Sequence, residues 1–231
     1  MSAVQHRRIR VSLEGNIGSG KSTLLSAIAR TSADLTVLQE PVDEWSRPVI
    51  GGDGMLQLFY ADPARRAFAF QMFVLLSRAR QAALVEENSG GSAVLTERCT
   101  ASDFELFGRP MYEAGAMDDA EWATYRGWYA HTTAGVPPMD GVVYLRTTPA
   151  VSMSRIALRR RHGEGSIDAG YIERLHATHE AWIQRVCDSG TPVLVLDGDA
   201  VGEAAIQANA SRVVAFATEP LVSPSDVTQS W

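Results

Sequence analysis

At 231 residues, with 45% hydrophobic and 21% charged side chains, the chain has the make-up of one globular domain with a sizeable core. Its 21 basic against 27 acidic side chains leave a formal charge of −6, which offers no basic face to nucleic acid, and no apolar run approaches the roughly 20 residues that span a bilayer. Cys99 and Cys187 make no disulfide framework and imply reduced thiols in a cytoplasmic-type compartment, with a mitochondrial one left open.

The opening MSAVQHRRIRVSLEG runs into a strand pattern too soon to hold a transit peptide, unless the chain is already processed. IRVSLE at 9–14 alternates and stops at Gly15, the pattern of a first strand, and KSTLLSAIAR carries apolar residues at helical spacing behind it. LTVLQEP predicts a second strand over 35–41, ended by Pro41. From 55 to 88 the chain reads as helix with Pro63 as a start or break, and GGSAVLTER gives a turn and a third strand over 93–96. Two helices are expected over 103–134, interrupted near Gly115 and restarted by DDAEW, whose acidic first turn suits the helix dipole. DGVVYLRT is a fourth strand, and Pro149 begins a helix that becomes RIALRRRHGEGS. IDAGYIERLHATHEAWIQRV is a further helix, TPVLVLDGD a fifth strand, and 202–217 the last helix. Strands alternating with helices imply an α/β fold, a five-stranded parallel sheet flanked by helices. One domain is expected over 1–217, with 218–231 a loose tail.

Gly15-Asn16-Ile17-Gly18-Ser19-Gly20-Lys21-Ser22 fits G-x-x-x-x-G-K-S/T at every fixed position, between the strand and the helix that this motif requires. Glycines let successive backbone N–H groups turn toward one anion, and the helix N-terminus adds its partial positive charge. Residues 15–22 with Thr23 are therefore the expected nucleoside triphosphate site. Lys21 would reach the β- and γ-phosphates and Ser22 would ligate Mg²⁺.

A regulatory GTPase should carry N/T-K-x-D, which the chain lacks; a motor ATPase should be longer, with a strand ending in a metal-serving Asp. Here the third strand ends in Glu97 and Arg98, at the carboxyl end where open parallel sheets place ligands. Glu40 follows the second strand, so two carboxylates approach the triphosphate site, one suited to a metal and one to accepting a proton. Arg155 and Arg159 share a helix face, Arg161 lies one turn beyond, and HGEGS follows as the mobile part of an arginine-rich lid. Taken singly, these also suit a solvated ion pair, a helix-start acid and a solvated basic helix. Together they favour phosphoryl transfer to a small acceptor.

The ordered set EGNIGSGKSTLL, EPVDEW, FQMFVLLSRAR, ERCTASD, RIALRRRHGEGSI and YIERLHATHEAW, spread over about 9–199, resembles the deoxyribonucleoside kinases. The resemblance implies a P-loop kinase fold, a deoxynucleoside acceptor, ATP or another triphosphate as donor with Mg²⁺, and a homodimer through the helices of 55–88 and 103–134. It implies Glu40 as the base for the 5′-hydroxyl, Arg98 beside the 5′ oxygen, Glu97 as the metal-site acid, and Lys21, Arg159 and Arg161 on the phosphates. Tyr60 and Glu164 correspond to the pair on the sugar 3′-hydroxyl. Trp45, Phe70 and Phe107 correspond to residues around the base, and Gln71 to the amide that reads its edge. Core packing also accounts for the three aromatics.

Arg78 and Asp103 match a charge pair at the base pocket of cytosine- and purine-preferring members, so deoxyguanosine, deoxyadenosine or deoxycytidine is expected ahead of thymidine. Val74 also shapes that pocket, and a thymidine-preferring or multisubstrate kinase is the alternative. Two departures stand out: Cys99 where serine is common, and Gly163 where an acid is frequent. A nucleoside monophosphate kinase is the nearest rival, but it needs a cationic site for the acceptor's own phosphate, and Glu40 would repel that group.

Overall fold

The computed structural model describes residues 8–32, 34–88 and 93–218. The turn at 90–92, the opening residues 1–7 and all of the tail expected over 218–231 except Thr218 lie outside them. In chain order the elements are β1 (Ile9–Glu14), α1 (Lys21–Thr31), β2 (Leu35–Leu38), α2 (Val42–Trp45), α3 (Met55–Ala61), α4 (Pro63–Asn88), β3 (Ala93–Glu97), α5 (Thr100–Asp103), a π-helical turn (Phe104–Gly108), α6 (Arg109–Glu113), α7 (Asp119–Thr133), β4 (Gly141–Arg146), α8 (Pro149–Arg159), a 3₁₀ turn (Glu164–Ser166), α9 (Ala169–Asp188), β5 (Val193–Asp197) and α10 (Glu203–Thr218).

Every strand pairing is parallel, in the order β2-β3-β1-β4-β5, as the α/β reading expects. β1 is central and buried on both faces, apolar through Val11 and Leu13 on one and carrying Ser12 and Glu14 on the other. Val11 and Leu13 meet Leu24, Leu25 and Ile28 of α1 and Val213 of α10 on one side. On the other side of the sheet, Val142 and Tyr144 of β4 pack against Leu175, Trp182 and Ile183 of α9. Each such fully buried aliphatic contributes roughly 1.5–3 kcal/mol. The pairing Leu13↔Glu97 sets the carboxyl ends of β1 and β3 side by side, so the residues just after the two strands share one crevice. A separate apolar cluster of Trp45, Leu56, Phe59, Phe70 and Val74 joins α2, α3 and α4 beyond that crevice.

The break at Pro63 is real: Asp62 leaves helical geometry (φ −149°, ψ 78°) and Pro63 opens the 26-residue α4. Two boundaries near the crevice differ from expectation. β2 stops at Leu38, the last residue paired to β3, and Pro41 instead heads the short α2. The helix expected from 103 begins at Thr100, where Cys99 caps it through Sγ accepting the Ser102 N–H at 3.4 Å. That helix also widens at 104–108, and there Gly108 lets Tyr125 of α7 close in; a Cβ on Gly108 would lie 2.5 Å from its ring. Burial pushes the Cys99 thiol up to about 12, so at this cap it is an inert, protonated group.

Candidate active site

The glycine loop links the end of β1 to α1, and its turns require glycine: Gly15, Gly18 and Gly20 have φ of 153°, 77° and 101°. A Cβ on Gly18 would stand 2.6 Å from the Ser152 carbonyl oxygen, so the loop lies directly on α8. Asn16 ties it to α9, Nδ2 donating to Ile172 O at 2.9 Å. Arg155, which the spacing groups with the lid, instead donates Nη1 to Ser19 O and Gly198 O, both at 2.8 Å. Lys21 Nζ curls onto Gly15 O and Asn16 O at 3.1 and 3.0 Å. Burial and then Arg98 lower its pKa to about 8, against the opposite pull of Glu97 and Glu40. A cavity of about 370 Å³ opens above, lined by Ile17–Thr23 and by Arg155, Arg159 and Arg161.

Glu97 leaves β3 toward this cavity, and the Ser22 hydroxyl sits 3.1 and 3.2 Å from its two oxygens. Burial and Glu40 push the Glu97 pKa up, against Lys21 and Arg98. A hydroxyl beside a carboxylate is a hard-oxygen pair that fits Mg²⁺ completed by phosphates and water. No cluster of three or more His, Cys, Asp or Glu suited to a metal occurs among the described residues.

Arg98 follows in left-handed backbone (φ 61°), a conformation that costs a non-glycine residue about 1 kcal/mol or more. That turn carries its side chain inward. Nε lies 3.2 Å from Glu40 Oε1, and the guanidinium stands 4.8 Å over the Phe107 ring. Glu40 also accepts Arg78 Nη2 at 2.7 Å. Burial alone would raise the Glu40 pKa, but Arg98, Arg78 and Lys21 together hold it below the usual carboxylate value. Glu40 is therefore an anion at neutral pH, clamped between two arginines.

Beyond Glu40 lies a second, mostly apolar cavity of about 80 Å³ walled by Trp45, Phe70, Val74, Phe107, Met111 and Tyr171. Trp45 is fixed by Nε1–H donating to Ser77 Oγ at 3.0 Å, and Phe70 stacks on Phe59 at 4.8 Å. Gln71 is 2% exposed; Nε2 faces Met111 Sδ at 3.5 Å, while Oε1 is buried without a partner. Asp103 reaches the wall of this cavity. Burial pushes it up to about 6 against the pull of Arg78. Arg78 does not reach it: its donors go to Asp103, Glu40 and Glu97 O, the last at 2.8 Å. Burial opposes its charge, but Asp103 and Glu40 more than offset that and raise its pKa. The donors of Arg78, which the sequence groups with Asp103 at the base pocket, are thus engaged by two carboxylates and a backbone carbonyl. A further cavity of about 390 Å³ lies behind Arg78 between α4, α7 and the sheet, lined by no residue of the glycine loop or lid.

The lid segment 159–166 folds back on itself. Arg159 pairs with Glu164 at 2.7 and 2.6 Å, and Arg161 reaches the same carboxylate at 3.4 Å. Gly163, at φ 90°, makes this turn possible, which is the physical sense of its departure from the usual acid. Glu164 is 4% exposed and lines the cavity above the glycine loop together with Tyr60, which reaches both cavities. Burial, Tyr171 and Glu164 raise the Tyr60 pKa, so its hydroxyl stays protonated.

Two buried groups escaped the sequence reading. Glu14 ends β1 fully buried, its Oε1 accepting the Cys99 N–H at 3.1 Å and its Oε2 3.9 Å from Arg98. His179, fully buried, places Nε2 3.2 Å from Arg98 Nη1. Glu14 carried the signal used for Glu97, an acid at a strand's carboxyl end. His179 interrupts the apolar stripe of Ile172, Leu175 and Trp182.

Residues 11–220 match the family model described as deoxynucleoside kinase. Over 225 residues the chain is 34% identical to deoxycytidine kinase 2 of Gallus gallus, covering 85% of this chain and 84% of that protein. Deoxycytidine kinase of Homo sapiens is 32% identical over 194 residues, 75% of each chain. The mitochondrial deoxyguanosine kinase of Xenopus laevis is 31% identical over 196 residues, 76% of this chain and 73% of its own.

Proposed function

The chain belongs to the deoxynucleoside kinase family, and from that premise we propose that it moves the γ-phosphoryl group of ATP to the 5′-hydroxyl of deoxycytidine or a purine deoxynucleoside ahead of thymidine. One observation carries the reading: Glu40, held ionised by Arg98 and Arg78, lines both the triphosphate cavity and the apolar pocket.

A nucleoside with its base in the pocket would present its 5′-hydroxyl to Glu40, which accepts the proton as the oxygen attacks phosphorus. The loop amides and Lys21 hold the β- and γ-phosphates, and phosphate contact gives Lys21 a stronger partner than the two carbonyls it now touches. Mg²⁺ bound at Ser22 and Glu97 would supply charge neutralisation on the phosphate oxygens. Arg98 lies where its guanidinium can follow the transferring group, while Glu164 steers Arg159 and Arg161. Tyr60 and Glu164 would hold the sugar, a reading supported by their shared place on the wall of the cavity above the glycine loop.

Base preference rests on acceptors of two residues that line the pocket, Gln71, whose Oε1 has no partner among the described residues, and Asp103. Cytosine and adenine carry an exocyclic amine that donates to such groups where thymine presents a carbonyl, and guanine carries its amine at C2, while thymine has none. Among the described residues Arg98 is the one arginine on the pocket wall, and it is committed to Glu40, which favours an uncharged nucleoside over a monophosphate acceptor. The test is kcat/KM with ATP and Mg²⁺ for four deoxynucleosides and their monophosphates. Amine-bearing bases should lead thymidine by about 10-fold or more, the worth of one mispaired buried polar group. Parity with thymidine would remove the base preference alone, whereas turnover of monophosphates only would overturn the acceptor assignment.

The homodimer reading is supported by Leu76 on α4 and Trp128 on α7, 47% and 45% exposed on the two helices that the resemblance puts at the interface. Sedimentation should give twice the chain mass, and Trp128→Lys should shift it toward the monomer; a wild-type monomer at micromolar concentration would exclude this reading. Neither cysteine forms a disulfide, in keeping with a reducing compartment, cytoplasmic or mitochondrial. No helix among the described residues is long and apolar enough to cross a membrane.

A further inference from the structure

We propose that His179 is a positioning residue for Arg98: as a neutral imidazole it accepts the Arg98 Nη1–H and, with Glu14 beside it, turns the Nε edge of the guanidinium toward Glu40. This rests on the kinase reading, which gives Arg98 its place beside the reacting groups.

The tautomer is set by two neighbours. His179 Nδ1 lies 2.7 Å from Leu175 O, and a carbonyl can face only the N–H, so the proton is on Nδ1. Nε2 then carries a lone pair, and 3.2 Å away stands Arg98 Nη1, a donor with no acceptor capacity. Burial first and Arg98 second lower the His179 pKa well below 6.5, since protonation would set two cations in contact. The ring plane is held by Tyr144, stacked at 6.2 Å and 12°. A histidine that merely filled the core would need one partner; this one has both nitrogens engaged and its plane fixed.

Arg98 needs such support because its backbone is left-handed and its side chain leaves no regular strand geometry to restrain it. Its own N–H is fixed to Leu13 O at 3.0 Å. Glu14 Oε2 has no hydrogen bond among the described residues and faces Arg98 Nη1 at 3.9 Å, fully buried. The Nη1 end is thus occupied from β1 and α9, leaving the Nε edge, at 3.2 Å from Glu40, for the chemistry.

The experiment compares His179→Leu and His179→Gln, the glutamine oxygen reaching about as far as Nε2. His179→Leu should lower kcat about 10- to 100-fold, the range for losing a hydrogen bond to a charged group, with nucleoside KM and ATP Kd within about 3-fold of wild type. His179→Gln should recover to within about 5-fold. In an Arg98→Lys background, His179→Leu should cost less than about 2-fold more, because its effect travels through the arginine. Should His179→Leu not fold, His179→Asn, whose amide stops short of Arg98, replaces it and should fall about 10-fold below His179→Gln. Unimpaired kcat in the short variant, equal loss in short and long variants, or full additivity with Arg98→Lys would each overturn the proposal. A wild type that phosphorylates no deoxynucleoside would bring down the kinase reading itself, whereas an active wild type with an unimpaired short variant overturns this inference alone.

Discussion

Glu40→Gln lowers kcat by about 10²- to 10⁴-fold, the span for losing a general base, while ATP continues to bind. Glutamine keeps the shape and still offers an oxygen to Arg98 and Arg78, so the two guanidiniums retain an acceptor. It cannot take a proton. Nucleoside binding should change little, because Glu40 touches the acceptor only at its reacting end, so the loss belongs in kcat rather than KM. Isothermal titration with ATP and single-turnover transfer separate the two quantities. A variant within about 10-fold of wild-type kcat would show that the 5′-hydroxyl needs no base here.

The same substitution has a pH signature in stability. The folded-state pKa of Glu40 is lowered from 4.5, so its charge stabilises the fold above about that pH, and the contribution is lost as pH falls through the folded value. Glu40→Gln should therefore lose less stability on acidification than wild type does.

Which of these features could be read from the chain itself depends on how locally each is specified. The glycine loop, the five strands and the break at Pro63 are written in contiguous residues, and all appear, with β2 ending earlier than the pattern puts it. Glu97 and Arg98 were legible because parallel sheets present the carboxyl ends of their strands to ligands, a rule that depends only on strand direction. The same rule would have found Glu14, had the glycine motif beside it not absorbed the reading. Arg78 shows where such inference stops. Its partners come from β3, α5 and the segment after β2, and their meeting depends on the phase of α4 over the sheet, which no local pattern encodes. Helical spacing groups Arg155 with the lid, but its guanidinium donates to the loop carbonyl of Ser19, a contact that spacing does not encode. The widening at Phe104–Gly108 left no trace in the 3.6-residue periodicity, because one extra residue per turn looks like ordinary drift.

Arg78→Met should be the most destabilising of the changes considered, by about 3–5 kcal/mol in chemical denaturation, the range for removing one partner of a buried ion pair. Methionine fills the volume but leaves Asp103 and Glu40 facing one another without the cation between them. Asp103, already pushed up to about 6 with Arg78 present, should then stay protonated at neutral pH. Adding Asp103→Asn to Arg78→Met removes that stranded acid, so the pair should cost about 1–3 kcal/mol less than the sum of the single changes. Activity divides the two residues differently. Arg78 holds Glu40 and does not line the pocket, so its loss should lower kcat/KM by about 10- to 100-fold for every base alike. The acid limb of the pH–kcat/KM profile should also move upward, because one of the cations that holds Glu40 ionised is gone. Asp103 does line the pocket, so Asp103→Asn should alter the rank of the four deoxynucleosides, raising thymidine relative to the others. If Arg78→Met reorders the bases and leaves the acid limb in place, then Arg78 reads the base directly, and the separation drawn between the arginine that positions Glu40 and the aspartate that meets the base does not hold.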